Sequence, residues 1–142
     1  MRKIFLILTF LMLNLHVIKA NDEITYERLI NAIAHVESGH NEKAVSPNKK
    51  YVGYLQISKV TVDGCNNIVG YKKYTYNDRY DKEKSIEMFY LIQKHYNPNN
   101  DIVLAARIWS EGISAIKKKP RITPYVKKVL NLCDTLYSHL DM

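Results

Sequence analysis

Residues 33–57 read IAHVESGHNEKAVSPNKKYVGYLQI, and this stretch decides the fold. Apolar residues recur every three to four positions before and into it, at Tyr26, Leu29, Ile30, Ile33 and Val36. This spacing predicts an amphipathic helix with Glu37 where the apolar stripe ends. A carboxyl group in that position is partly desolvated, which raises its pKa and lets it donate a proton near neutral pH.

Three short motifs follow one another in this stretch: Glu37-Ser38, Ala44–Pro47 and Gly53–Ile57. Their order and spacing resemble the E-S…A-x-S…G-L-M-Q-I signature of the lytic transglycosylases, the murein-cleaving branch of the lysozyme-like superfamily. The resemblance extends over about residues 25–132. It implies a mostly helical, α+β lysozyme-like fold for residues 21–142, as a single compact domain with a small extended segment around residues 51–57.

The third signature of this family reads roughly A-Y-N-A-G and aligns with Ile108–Gly112. An aromatic residue, Trp109, and the glycine are kept. Ser110 stands in place of the usual asparagine and Glu111 in place of a small residue. A serine hydroxyl cannot offer both a donor and an acceptor at the reach of an amide, so we expect a weaker grip on an N-acetyl group.

The fourth signature, approximately E-T-R-x-Y-V-x-K-V, aligns with Arg121–Val129. The pairs Tyr125-Val126 and Lys128-Val129 match it, whereas Arg121 stands where the family has an acid. The resemblance is therefore strong in the first half of the chain and partial in the second.

Carried over by position, the resemblance implies that Glu37 is the catalytic acid and base. It implies substrate contacts by Ser38, Tyr54, Gln56, Trp109, Ser110 and Tyr125. The implied reaction cleaves the bond between N-acetylmuramic acid and N-acetylglucosamine and closes a 1,6-anhydro ring on the muramic residue. It needs no cofactor and no metal ion, and its partner is the peptidoglycan glycan strand.

Glu111 leaves two interpretations open. It is either a second carboxylate near the cleft or a side chain that points into water, and the second is the simpler expectation for one extra acid. If Glu111 positions a water molecule, the chain becomes a lysozyme-type muramidase, a hydrolase.

The altered third and fourth signatures also leave a non-catalytic alternative open. In that case the domain binds peptidoglycan, or serves as an assembly part of a secretion, conjugation or phage apparatus, without cleaving it. A further alternative comes from residues 71–80, where four tyrosines are interleaved with lysines and an arginine. Such a loop suits sugars or nucleic acid, or lies over the edge of the core.

Residues 1–20 resemble a signal peptide that is removed on export. Arg2 and Lys3 precede an apolar run that is too short to cross a bilayer, and Ala20 supplies a small residue at the cleavage point. Removal would lower the formal net charge from +7 to +4, because Arg2, Lys3 and Lys19 leave with the segment. We therefore expect a periplasmic or extracellular monomer without stable membrane insertion, and nucleic acid is not an expected partner.

Cys65 and Cys133 are the two cysteines of the chain. In an exported protein an even number of cysteines permits a disulfide, and two buried free thiols are the alternative. Two cysteines without suitable spacing do not make a zinc site.

Helix boundaries can be assigned from capping residues and glycines. The sequence predicts helices from Ser58 to Gly70, from Asp81 to Tyr96, from Asp101 to Gly112 and from Thr123 onward, after the first helix that ends near Glu37. Residues 71–80 are predicted to be a loop.

Overall fold

The computed structural model of the chain describes residues 26–137, which form five α-helices and two short 3-10 helices. The α-helices are α1 (residues 26–38), α2 (Lys59–Val69), α3 (Lys82–Tyr96), α4 (Ile102–Glu111) and α5 (Pro124–Tyr137). The 3-10 helices cover Tyr76–Tyr80 and Ile113–Lys117. The prediction of a mostly helical domain is confirmed, while the predicted signal peptide lies outside the described residues. No helix in the described part is both long and apolar enough to span a membrane.

Four helices begin at the predicted capping residues. A side-chain oxygen accepts a hydrogen bond from the backbone N–H three residues later in each case: Ser58 from Thr61 (3.1 Å), Asp81 from Lys84 (2.9 Å), Asp101 from Leu104 (2.9 Å) and Thr123 from Val126 (3.2 Å). Each bond satisfies an N–H that has no partner inside its own helix. Gly70 and Gly112 end α2 and α4, as the sequence predicts.

Helix α1 lies in the centre of the core. The side chains of Leu29, Ala32 and Ile33 are fully buried. The ring of Tyr26 contacts Phe89 of α3 edge-on, with 5.8 Å between the ring centroids. Each of the other four α-helices contributes buried residues to the core: Val62, Met88, Phe89, Ala105, Ala106, Val126 and Val129. Because α1 is held from several sides, its carboxyl end has a fixed position in the domain.

The segment 51–57 is a tight turn rather than a strand. Its extended pairing is limited to two isolated antiparallel bridges, Val45 with Val52 and Val52 with Ile57. Gly53 and Gln56 have positive φ angles of 81° and 52°, which curl the backbone between the bridges. The predicted extended segment is therefore present only as these two bridges.

The buried turn 53–57 obtains hydrogen bonds for its carbonyl oxygens from side chains of other elements. Ser38 donates to Tyr54 (2.7 Å), Trp109 to Leu55 (3.3 Å) and Arg79 to Ile57 (3.4 Å). Buried carbonyl groups need such partners because water cannot reach them. α1, α4 and the first 3-10 helix thus fix the position of the turn.

Residues 71–80 are more ordered than the loop that the sequence predicts. Tyr74 is buried in the core, and the 3-10 helix Tyr76–Tyr80 places Arg79 in the interior. The side chain of Asn66 in α2 accepts hydrogen bonds from the backbone N–H groups of Lys73 and Tyr74. The loop prediction holds for residues 71–75 but was wrong for Tyr76–Tyr80, because these tertiary contacts cannot be read from the local composition.

The disulfide that the sequence permits between Cys65 and Cys133 is not formed, and both cysteines are free. The thiol of Cys65 faces the backbone carbonyl of Met88 in α3 (3.9 Å). The thiol of Cys133 faces the carbonyl of Arg28 in α1 (3.7 Å). The two sulfur atoms are directed at different helices, and burial raises the pKa of both thiols, to about 12 for Cys65 and about 11 for Cys133. The alternative of free thiols is therefore the one observed.

We predict that Gly53→Ala destabilises the domain more than Gly70→Ala. Both glycines have a φ of 81°, but a Cβ atom at Gly53 would lie 1.8 Å from the carbonyl oxygen of Arg79, whereas nothing lies within 4 Å of one at Gly70. The strained backbone alone lowers the free energy of unfolding by about 1–2 kcal/mol in either variant. At Gly53 the overlap with a neighbouring backbone adds to this loss, so the total is about 3 kcal/mol or more. Urea unfolding of both variants measures the difference. Equal losses of stability would contradict the close packing of the turn against Arg79.

Candidate active site

A cleft of about 640 Å³ opens beside the carboxyl end of α1. This volume lies within the range of small-ligand sites in proteins. Most of the predicted site residues line it: Glu37, Gln56, Trp109, Ser110, Glu111 and Tyr125. They come from α1, the turn 53–57, α4 and α5, so the fold brings together residues that are up to 88 positions apart.

Glu37 and Tyr125 form the shortest of the contacts made by these residues. The phenol of Tyr125 donates a hydrogen bond to Oε1 of Glu37 over 2.6 Å. Glu37 ends the apolar stripe of α1, and Tyr125 lies in the first turn of α5, directly after Pro124. The bond therefore connects the first described helix of the chain with the last.

The pKa of the Glu37 carboxyl is raised because burial disfavours its charged form, although the hydrogen bond from Tyr125 acts in the opposite direction. Burial and the neighbouring Glu37 carboxylate raise the pKa of Tyr125, so the phenol keeps its proton and remains the donor. Glu37 is thus a carboxyl group with a strengthened tendency to hold a proton, located on the wall of a cleft.

The cleft around Glu37 is lined largely by apolar and aromatic side chains. They include Ile57, Ile68, Ile92, Tyr96, Ile108 and Trp109. Such walls exclude water from one side of the carboxyl group and strengthen electrostatic interactions within the cleft. They also provide flat apolar surface for a ligand that has an apolar face.

Gln56 lines the cleft, but its amide nitrogen is used within the turn. It donates to the carbonyl oxygens of Gly53 (3.0 Å) and Ala44 (3.3 Å). These bonds hold the side chain in a fixed orientation and join the turn to the preceding loop. Gln56 is therefore at once a cleft residue and a support of the turn.

Ser38 and Tyr54 are not among the residues that line the cleft. The hydroxyl of Ser38 fastens the turn to α1 through the carbonyl of Tyr54. The Tyr54 side chain is buried, and its hydroxyl lies 3.3 Å from Nδ1 of His40. These two predicted substrate contacts are therefore absent from the cleft lining, and the Ser38 hydroxyl supports the turn instead.

Trp109 and Ser110 line the cleft from the carboxyl end of α4. The indole N–H of Trp109 donates to Leu55, and its ring packs against Phe89 with 5.2 Å between ring centroids. The hydroxyl of Ser110 donates back to the carbonyl of Ala106 in the same helix (3.1 Å). Trp109 is fixed in place, and the donor of Ser110 is already in use.

Glu111 lines the cleft, but its carboxylate is shared by three cations. Its Oε1 lies 3.3 Å from Nε of Arg107, and its Oε2 lies 3.0 Å from Nη2 of Arg121 and 3.4 Å from Nζ of Lys118. The side chain is only 12 % exposed. The expectation that Glu111 points into water was therefore wrong, because the three cations hold it against the protein.

The pKa of Glu111 is lowered. Desolvation alone would raise it, but hydrogen bonds from Arg121 and Arg107 outweigh this effect. Glu111 therefore stays ionised and paired, which differs from the protonated state that burial favours at Glu37. The pKa values of the two acids that line the cleft are thus shifted in opposite directions.

Two cleft features were missed by the sequence reasoning. Lys50 and Tyr51 line the cleft from the loop before the turn, and no sequence signal distinguishes them from the rest of that polar loop. Arg107 is buried as the partner of Glu111. Its spacing of four residues from Glu111 on a helix is a signal that could have revealed the pair.

The described residues contain no cluster of three or more histidine, cysteine, aspartate or glutamate side chains that could hold a metal ion. The polar groups at the cleft include the carboxyl of Glu37, the phenol of Tyr125, the amide of Gln56 and the hydroxyl of Ser110. Such an arrangement can hold a polar ligand and move one proton to or from it.

Comparison with known proteins identifies the family of the chain. The family model of the transglycosylase SLT domain matches residues 17–128, which is most of the chain. Neither the curated proteins nor the solved structures compared with the chain gave a match. On the strength of the family match, the chain belongs to the transglycosylase SLT domain family.

Proposed function

We propose that this chain is a lytic transglycosylase that cleaves the β-1,4 bond between N-acetylmuramic acid and N-acetylglucosamine in peptidoglycan, with Glu37 as its acid and base. The observation that carries the proposal is the Glu37 carboxyl itself, which is partly buried on the cleft wall and held by Tyr125 at 2.6 Å. Membership of the SLT family supports a peptidoglycan-cleaving activity in general.

The first step of the proposed reaction is proton donation. Glu37 gives its proton to the oxygen of the glycosidic bond, the bond from that oxygen to the anomeric carbon breaks, and positive charge develops on the muramic ring. The raised pKa of Glu37 keeps the proton available at higher pH than in an exposed glutamate. The carboxylate that remains lies close to the developing positive charge and stabilises it.

The second step returns the proton. The Glu37 carboxylate takes the proton of the 6-hydroxyl of the muramic residue, and the freed oxygen bonds to the anomeric carbon. This closes the 1,6-anhydro ring, restores the protonated Glu37 and consumes no water. Tyr125 keeps the carboxylate in one orientation through both steps, because the phenol remains a donor.

The state of Glu111 favours this scheme over hydrolysis. Most glycosidases that use water or a covalent intermediate need two working carboxylates. Glu37 and Glu111 are the two acids that line the cleft, and both oxygens of Glu111 are engaged by cations. A carboxylate bound in this way is a poor base for a water molecule, so we propose the one-carboxylate reaction.

We also propose that the protein is exported, because its substrate lies outside the cytoplasmic membrane. The composition of residues 1–20 supports this proposal through its charged start and apolar run. The basic composition of the chain suits a cell wall whose peptides carry carboxylates.

We predict that Glu37→Gln abolishes peptidoglycan cleavage. The amide has nearly the same shape and can still accept the hydrogen bond from Tyr125, but it cannot deliver a proton. The initial rate of peptidoglycan solubilisation should fall by at least about a hundredfold. The matched control is Glu42→Gln, an exposed acid of the following loop that should leave the rate unchanged.

Full activity in Glu37→Gln would contradict the proposed role of the carboxyl group. The soluble products also separate the two reactions by mass spectrometry. Anhydro ends support the transglycosylase, whereas hydrated reducing ends would identify a muramidase. Binding of peptidoglycan by the unmodified protein without any soluble product would instead identify a non-catalytic binding module.

We predict that Tyr125→Phe moves the basic limb of the pH–rate profile to higher pH while lowering the maximal rate about tenfold. Glu37 must be protonated to act as the acid, so activity is present below its raised pKa and is lost as the pH rises through it. The hydrogen bond from Tyr125 lowers that pKa, and removing it raises the pKa further.

The control for this experiment is Tyr71→Phe, which changes an exposed tyrosine outside the cleft. Its profile should coincide with that of the unmodified protein. A basic limb that stays in place in Tyr125→Phe, or moves to lower pH, would show that the phenol does not act on the Glu37 carboxyl.

A further inference from the structure

The side chain of Glu111 connects α4 with the segment that leads to α5. Its Oε1 pairs with Arg107 in α4, its own helix. Its Oε2 pairs with Lys118 and Arg121, which belong to the connection between the second 3-10 helix and α5. We call these four residues the ion-pair clasp.

The connection that the clasp holds has little structure of its own. Residues 119–123 are in neither a helix nor a bridge, and residues 116–122 are exposed. None of the described backbone hydrogen bonds outside helices involves residues 119–122. The position of this stretch therefore depends on side-chain contacts.

The connection leads directly to the catalytic hydrogen bond. Arg121 lies four residues before Tyr125, the donor to Glu37. Only Ile122, Thr123 and Pro124 separate the two residues, so the place of Arg121 limits where α5 begins. A shift of Tyr125 by about 1 Å is enough to weaken a catalytic contact considerably.

We propose that Glu111 is a positioning residue, whose clasp fixes the start of α5 so that the Tyr125 phenol is held on the Glu37 carboxyl. The effect on the reaction rests on the proposed function, whereas the effect on the structure does not. In this chain Glu111 and Arg121 both depart from the family signatures, and the clasp gives these two departures one common role.

The inner half of the clasp is the pair Arg107–Glu111, and its burial lets it serve as the fixed part of the clasp. The side chain of Arg107 is 3 % exposed and that of Glu111 is 12 % exposed, so water screens their attraction weakly. The outer partners are more exposed, at 47 % for Lys118 and 60 % for Arg121. A single exposed ion pair contributes little to stability, but two cations on one fixed carboxylate form a network, which contributes more than an isolated pair.

The test removes the outer half of the clasp and keeps the inner half. Glu111→Gln is unsuitable by itself, because it would leave the buried Arg107 without a carboxylate and endanger folding. The double variant Lys118→Gln/Arg121→Gln keeps that pair. The control is Lys117→Gln/Lys119→Gln, which removes the same charge from neighbouring exposed positions that form no ion pair with the described acids.

The first readout is amide hydrogen exchange in residues 119–126, which requires no activity. We expect exchange there to be at least about threefold faster in the clasp variant than in the control. Equal exchange in both variants would overturn the proposal, because the connection would then be held by something else.

The second readout is the rate of peptidoglycan cleavage in two backgrounds. Relative to the unmodified protein, the clasp variant should cleave about tenfold more slowly. Relative to Tyr125→Phe alone, adding the clasp substitutions should slow cleavage by less than about twofold. Equal losses in both backgrounds would overturn the proposal, because the cations would then act through the charge of the cleft. If the unmodified protein does not cleave peptidoglycan, the proposed function fails, while the exchange measurement still decides whether the clasp holds the connection.

Discussion

The hydrogen bond between Tyr125 and Glu37 is the constraint on which the rest of this structure depends. It joins residues 88 positions apart over 2.6 Å. Burial of α1 in the core fixes one end of the bond, and the start of α5 fixes the other. The bond also balances two effects on the pKa of Glu37, since burial raises the pKa and the phenol lowers it. The carboxyl group is therefore oriented without being forced to ionise.

The turn 53–57 shows how a motif can serve the site without touching a ligand. A buried turn without strand partners has to find donors for its carbonyl oxygens. Ser38 and Trp109 supply two of them, and Gln56 braces the turn from within. In this chain the turn 53–57 therefore shapes one wall of the cleft, through Gln56 and Ile57. This explains why Ser38 belongs to the motif although it does not line the cleft.

The sequence alone predicts the helices well, because their ends carry local signals. Ser58, Asp81 and Asp101 act as caps within three residues of their partners, so the relevant contacts lie inside the sequence window. The position of Glu37 at the end of an apolar stripe likewise follows from helical spacing. Its raised pKa follows from the same pattern, because burial of the carboxyl group disfavours its charged form.

Contacts over long sequence distances could not be predicted in the same way. Two partners of Glu111, Lys118 and Arg121, come from a connection whose packing the sequence does not reveal, and the thiols of Cys65 and Cys133 face different helices. The burial of Tyr74 and Arg79 also depends on tertiary packing, because their local composition is that of a polar loop. In each case the neighbours, rather than the residue type, decide the outcome.

The central claim is that Glu37 keeps its proton at higher pH than an ordinary glutamate, and its side-chain carboxyl can be titrated directly by carbon-13 NMR. The Glu37 resonance is assigned by its absence from the spectrum of Glu37→Gln. The account predicts a midpoint clearly above that of the exposed Glu42 in the same protein. A midpoint at or below that of Glu42 would contradict the account, because a carboxyl group that is already ionised cannot be the acid of the proposed reaction.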